Sequence, residues 1–251
     1  MPLQIVAHRG AVTHAPENTL AAFQAALALG ADAVELDVRL TSDGVPVVYH
    51  YAYLEAATSG RGPIWAYSLA ELRSLRVGGS TTEERIPTLA EVLDEFAGRL
   101  GLEIELKGPE PEAVEAVAPL LEGVRREWAR IELTSYEPML LAAVHQRCPE
   151  LTTALLFPRS EPWMQLDIIG YLALHRARQA QAAAVHLHPT QLTEAVVASV
   201  RAGGVDVHAW DVNDAPTLYV CAALDLAWAN TDHLERALEW RAAIGAPGVL
   251  G

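Results

Sequence analysis

Eight short apolar runs recur along this 251-residue chain, and helical periodicity follows most of them. The runs are Gln4 to Ala7, Ala33 to Leu40, Leu102 to Leu106, Arg130 to Thr134, Leu151 to Phe157, Ala183 to His188, Val205 to Trp210 and Leu224 to Ala229. Read as apolar throughout rather than alternating, they suit strands buried on both faces. Such strands need helices packed over them, and helical patterns fall at 19–29, 112–127, 139–147, 163–179, 193–202, 216–222 and 234–243. Eight βα units in succession predict an α/β fold, a closed (β/α)8 TIM barrel. With 51% of residues hydrophobic, residues 1–251 are read as one barrel domain around one large core.

The rhythm breaks after the second run. The segment from Tyr51 to Pro87 carries "TSGRGP", "VGGS" and "TTEER" and only one short helical pattern, Ser68 to Leu75, before another at Thr88 to Phe96. A segment this long inside a compact domain predicts an inserted, lid-like excursion above the barrel.

A formal charge of −14 excludes nucleic acid as the expected partner, since binding backbone phosphates needs a basic face. It also disfavours anionic membranes. No apolar run is long enough to cross a bilayer, and "MPLQIVAHRG" enters its first strand without a signal-like segment. The expectation is a cytoplasmic protein without stable membrane insertion. Cys148 and Cys221 read as reduced core thiols.

In a barrel, functional groups gather at the carboxyl ends of the strands. The first run ends in His8-Arg9. The second, "AVELDV", carries Glu35 and Asp37 two residues apart, on one face. "PVVYH" ends in His50, "LEIELKG" offers Glu103, Glu105 and Lys107 at period two, and "HAWDVND" places Trp210 at the rim. Carboxylates converging in a barrel mouth repel one another unless a cation sits among them, and oxygen ligands select Mg²⁺, Ca²⁺ or Mn²⁺ over zinc. Two histidines suit a general acid and a general base, while Arg9 and Lys107 offer donors to an anion. The set points to phosphoester hydrolysis, and it supplies the local positive pocket that an acidic protein needs for an anionic substrate.

Plainer roles stand beside these. Glu35 and Asp37 could equally be strand residues paired with nearby basic side chains. His145, His175 and His233 read as helix-surface residues, and His186 and His188 as packing. Asp211 and Asp214 shape a turn and cap the helix that Pro216 begins. Asn18 reads as the cap of the helix near Thr19, with Glu17 beside it favoured by the helix dipole.

"AHRG", "PENTLAAF", "ELDVRLTSDGVPVVYH", "IPTLAEVL", "LEIELKG", "VHAWDVND" and the late "NTDHLERAL", taken together and in order, closely resemble the glycerophosphodiester phosphodiesterase family. The resemblance implies a barrel with a small insertion after the second strand. It implies Glu35, Asp37 and Glu105 as ligands of a divalent cation, Mg²⁺ or Ca²⁺, with His8 and His50 as the acid–base pair. Arg9 and Lys107 would bind phosphate, Trp210 would lie against the glycerol or its surroundings, and Glu17 would support the end of the first strand. Thr231 and Asp232 would be the family's closing element. Glu103 matches no family role and is expected to face the helices or a neighbouring cation.

The chain departs from the family pattern at Tyr51, at Ala56-Ala57 and at Asp211. Tyr51, Tyr53, Leu54 and Trp65 would give the inserted segment an apolar lining suited to a bulkier leaving group, such as a lysophospholipid. A lipid-directed phosphodiesterase and a barrel that binds phospho-ligands without turnover are the rival readings.

Overall fold

The structure is a computed structural model that describes residues 3–78 and 83–244. Among the described residues nine strands form: β1 (Gln4–Ala7), β2 (Ala33–Leu40), β3 (Pro46–Val48), β4 (Gly101–Leu106), β5 (Ile131–Ser135), β6 (Thr152–Leu156), β7 (Ala184–Leu187), β8 (Asp206–Ala209) and β9 (Trp228–Thr231). Eight of them are parallel and close into a ring, with β1 pairing both β2 (Val6 opposite Ala33) and β9 (Ile5 opposite Ala229). The ninth, β3, runs antiparallel on β2, Val48 opposite Val38. It therefore folds the chain back, so that the Tyr49 N–H reaches the Asp37 carbonyl (2.8 Å) and His50 arrives at the barrel mouth.

The helices are α1 (Leu20–Leu29), α2 (Leu69–Leu72), α3 (Leu89–Phe96), α4 (Glu112–Gly123), α5 (Pro138–Arg147), α6 (Leu166–Gln179), α7 (Glu194–Ala202), α8 (Ala215–Ala223) and α9 (Leu234–Ala243). Local chemistry sets their ends. Thr88 and Glu91 form a reciprocal capping box at α3, satisfying two otherwise orphaned donors. Asp214 accepts the Thr217 N–H ahead of α8, whose first turn holds Pro216.

The last barrel strand, β9, begins four residues later than its apolar run suggested and ends two later, at Trp228–Thr231. Leu224 instead closes α8, its N–H bonded to the Val220 carbonyl. The helical pattern at 112–127 ends at Gly123 and tightens into a 3₁₀ turn, Arg125–Arg130.

The reading of the strands as apolar on both faces needs a larger correction. Val34, Leu36 and Val38 of β2, and Leu102, Ile104 and Leu106 of β4, face outward and join the main core under the helices. Their alternating neighbours Glu35, Asp37, Glu103 and Glu105, with Glu132, His186, His208 and Asn230 on other strands, are all buried as well. The hydrophobic core is thus the layer between sheet and helices, and the barrel's interior is polar.

The inserted segment has a small core of its own, formed by Val47, Tyr49, Leu54, Ile64, Leu72, Val77 and Ile86. Leu54 is fully buried there, so it does not line a lid as expected, whereas Tyr53 and Trp65 are exposed and pack edge to face at 6.3 Å. Residues 79–82, part of the expected excursion, lie outside the described residues.

Candidate active site

A cavity of about 290 Å³ opens at the carboxyl end of the barrel. His8 enters it from the end of β1, where two successive residues take left-handed backbone: Arg9 (φ 57°) and Gly10 (φ 90°). A side chain on Gly10 would stand 2.8 Å from the Ala22 backbone as well as in an unfavourable φ, so glycine is required. The turn aims the Arg9 N–H at Glu35 Oε2 (3.1 Å) and the guanidinium at Glu17 Oε2 (3.1 Å) and Asp37 Oδ2 (3.4 Å).

Glu35 and Asp37 share a face of β2, and parallel register sets Asp37 beside Glu105 of β4. One oxygen from each of Glu35, Asp37 and Glu105 falls in a group no wider than 4.8 Å, all three residues buried. Burial, then Asp37 and its carboxylate neighbours, pushes Glu35 well above the usual carboxylate range. Burial and Asp37 likewise raise Glu105 to about 7, against the pull of Lys107. Burial acts in the same direction on Asp37, but Lys107, His50 and Arg9 outweigh it and hold that carboxyl at about 2. Lys107 Nζ sits between two of the acids, 3.2 Å from Asp37 Oδ1 and 2.9 Å from Glu105 Oε1. An all-oxygen donor set that is too negative for its basic neighbours fits a hard divalent cation.

The two imidazoles differ. His8 Nδ1 lies 2.6 Å from Asp232 Oδ1 and its Nε2 is 3.8 Å from Glu35 Oε2. The hydrogen bond from His8 holds Asp232 down at about 2. His50 is lowered to about 4, first by burial and then by Lys107 and Arg9, which overcome the attraction of Asp37. Its Nδ1 is buried without a hydrogen-bond partner among the described residues.

All the residues singled out at strand ends except Asp37 line the cavity: His8, Arg9, Glu35, His50, Glu105, Lys107 and Trp210. Asp37 lies directly behind, in contact with Arg9 and Lys107. Trp210 is pinned by its indole N–H on the Phe157 carbonyl (3.2 Å).

Asn18 does not cap α1; Thr19 does, accepting the Ala22 N–H. Asn18, at φ 57°, instead holds Asp37 at both ends, donating to Oδ2 (2.7 Å) and accepting the Asp37 N–H at Oδ1 (3.2 Å). Glu17 pairs with Arg9. Glu103 does not face the helices: it forms the cavity floor with Asn230, which donates to it at 3.4 Å, and its Oε1 lies 3.5 Å from the His186 imidazole.

Sequence reasoning missed Tyr136, which lines the cavity, and left Asp232 without a partner. "TSYEP" at the end of an apolar run was the available signal for Tyr136, by the same strand-end rule that found the others.

A parallel barrel whose mouth holds grouped carboxylates, two imidazoles and two basic side chains defines a phosphate-ester hydrolase of the TIM-barrel class. The family model described as "Glycerophosphoryl diester phosphodiesterase family" matches residues 8–236. The chain belongs to this family, and it is an enzyme, a phosphoric diester hydrolase. A glycerophosphodiester phosphodiesterase of Caldanaerobacter subterraneus is 32% identical over 85% of this chain and 87% of its own length. Among solved structures, an Oleispira antarctica phosphodiesterase in complex with the product sn-glycerol-3-phosphate superposes with a TM-score of 0.81 at 28% identity, covering 94% of this chain and 96% of that one. A glycerophosphodiester phosphodiesterase from Agrobacterium tumefaciens gives 0.77 at 28% identity, covering 96% and 99%.

Proposed function

We propose that this enzyme hydrolyses glycerophosphodiesters to sn-glycerol 3-phosphate and an alcohol, using a divalent cation and two histidines in distinct roles. The observation that carries the reading is the meeting, in one cavity, of an over-negative carboxylate group with two imidazoles in unlike environments. Glu35, Asp37 and Glu105 would hold Mg²⁺ or Ca²⁺, which supplies Lewis-acid polarisation of a phosphate oxygen when bound.

Arg9 and Lys107 bind the remaining phosphate oxygens. His50, neutral at physiological pH because burial disfavours its charge, takes the proton from the attacking oxygen. His8 keeps its Nδ1 on Asp232, a bond that fixes the ring and leaves Nε2, 3.8 Å from Glu35 Oε2, as the nitrogen that delivers a proton to the leaving alkoxide. Trp210 gives the glycerol an apolar wall. No described helix is long and apolar enough to cross a membrane.

The test is glycerol 3-phosphate release from a panel of soluble diesters. Activity should vanish with chelator and return with Mg²⁺ or Ca²⁺. Turnover that ignores the chelator, or a panel from which no glycerol 3-phosphate appears, overturns the reading.

A further inference from the structure

The ten most exposed large hydrophobic side chains among the described residues are unevenly distributed. Six of them, Val12, Tyr136, Met139, Trp163, Leu166 and Ile168, sit on loops or first helical turns that follow the carboxyl ends of parallel strands, the face on which the cavity opens. Tyr53 and Trp65 sit on the inserted segment, which is tied to the chain beyond the carboxyl end of β2 by the Ser42 N–H on the Tyr67 carbonyl. Met139 (80% exposed), Trp163 (74%), Leu166 and Ile168 cluster after β5 and β6, and Tyr53 and Trp65 stand on the inserted segment after β3. Apolar surface gathered on one functional face marks an interaction site.

We infer that this rim docks the enzyme onto a zwitterionic lipid surface, with the cavity turned toward it. The choice of lipid rests on the phosphodiester reading of the cavity. Tyr136 belongs to both surfaces: it is exposed among the rim residues and it walls the cavity. An occupant that covers the rim and reaches the cavity needs an apolar body carrying a phosphodiester head, which is the chemistry of a phospholipid layer. Tryptophan and tyrosine, half apolar and half polar, are the side chains that settle at such an interface.

Charge selects the kind of lipid. Exposed Glu137, Glu161 and Asp167 stand among the apolar side chains, against Arg159, on a chain of net charge −14. An anionic surface repels this face; a zwitterionic one leaves apolar burial as the driving term.

The experiment uses the full chain with its cation. Sedimentation with phosphatidylcholine vesicles is compared for the native protein and a double variant, Trp163→Ser with Leu166→Ser, two residues outside the catalytic set. The native protein should sediment with the vesicles, and the double variant should partition at least ~10-fold less, as expected for removing two large apolar contacts. Replacing part of the phosphatidylcholine by phosphatidylglycerol should weaken binding.

Release of glycerol 3-phosphate from soluble glycerophosphocholine should be unchanged in the variant. That assay reads the cavity while the vesicles read the rim, so the two failures are distinguishable. Native protein that stays in the supernatant, equal sedimentation of the variant, tighter binding to the anionic vesicles, or a self-association that the double variant abolishes would each overturn the inference, the last by making a second copy of the chain the occupant.

Discussion

Two groups of buried ionisable side chains occupy the same barrel interior, and they reach neutrality by opposite routes. In the inner group, behind the cavity floor, Glu132 lies 2.6 Å from His186 Nε2 and 3.2 Å from His208 Nδ1, all three buried. Burial alone would raise Glu132, but His208 and His186 more than offset it and hold it below the usual carboxylate range. In the outer group, Glu35 and Glu105 are raised because three carboxylates crowd together and Arg9 and Lys107 do not compensate them fully. Each group presents three ligand atoms within 4.8 Å. Geometry alone therefore does not tell a metal centre from an internal ion pair. The balance of charge does, together with the cavity beside the outer group. The inner group supplies its own protons, and in the proposed reading the outer group takes a cation from solution.

If that contrast is correct, damage to the outer group should cost activity and damage to the inner group should cost stability. The largest effect is expected from His50→Ala: kcat falls by at least ~100-fold, while the thermal midpoint stays near that of the native enzyme. Full activity in this variant would refute the base assignment. Glu132→Gln should behave the other way round. It breaks a buried pair at a cost of about 3 kcal/mol, lowering the midpoint by roughly 10 °C in a chain this long, with the cation requirement intact. A variant as stable as the native protein but inactive would place the inner group in the chemistry and erase the contrast.

Asn18→Ala sharpens the comparison further. It removes both hydrogen bonds that Asn18 makes to Asp37, and loss of a residue behind a metal ligand, the role proposed for Asp37, costs ~10- to 100-fold in cation affinity. Titration of activity with Mg²⁺ should show that shift, largely recovered at saturating cation.

The smallest effect is a dependence on pH. Glu105 has a folded-state value raised to about 7, so the chelated enzyme keeps that carboxyl's contribution below the ordinary carboxylate range and loses it as pH climbs toward 7. Glu132, held low, does the reverse, keeping its contribution above the ordinary carboxylate range and losing it in acid. Thermal midpoints of chelated enzyme should therefore decline between about pH 5 and 7, and added Ca²⁺ or Mg²⁺ should remove the decline. A chelated midpoint that is flat across that window would show the outer carboxylates to be compensated already.

Much of this site was readable along the chain because strand geometry is local. A two-residue spacing puts Glu35 with Asp37, and Glu103 with Glu105, on one face whatever the rest of the protein does. The barrel rule then says which end of each strand matters. The same locality misled at Asn18, whose place before a helix suggested a cap, because the competing partner, Asp37, lies on another element. The polar interior was also hidden. The alternation is written in "AVELDV" and "LEIELK", yet Glu103 was expected toward the helices or a cation, and only closure of the ring shows that its face turns inward with Glu105.

The sequence by itself determined the succession of βα units, the residues at the strand ends and which carboxylates share a face, since backbone sterics and side-chain alternation act over a few residues. Tertiary structure alone decided the partners. Asp232 reaches His8 across 224 positions of chain, Glu132 meets His208 across 76, and Tyr136 turns into the cavity. Ring closure makes those distances small, and burial makes the charges they bring together too costly to leave unpaired.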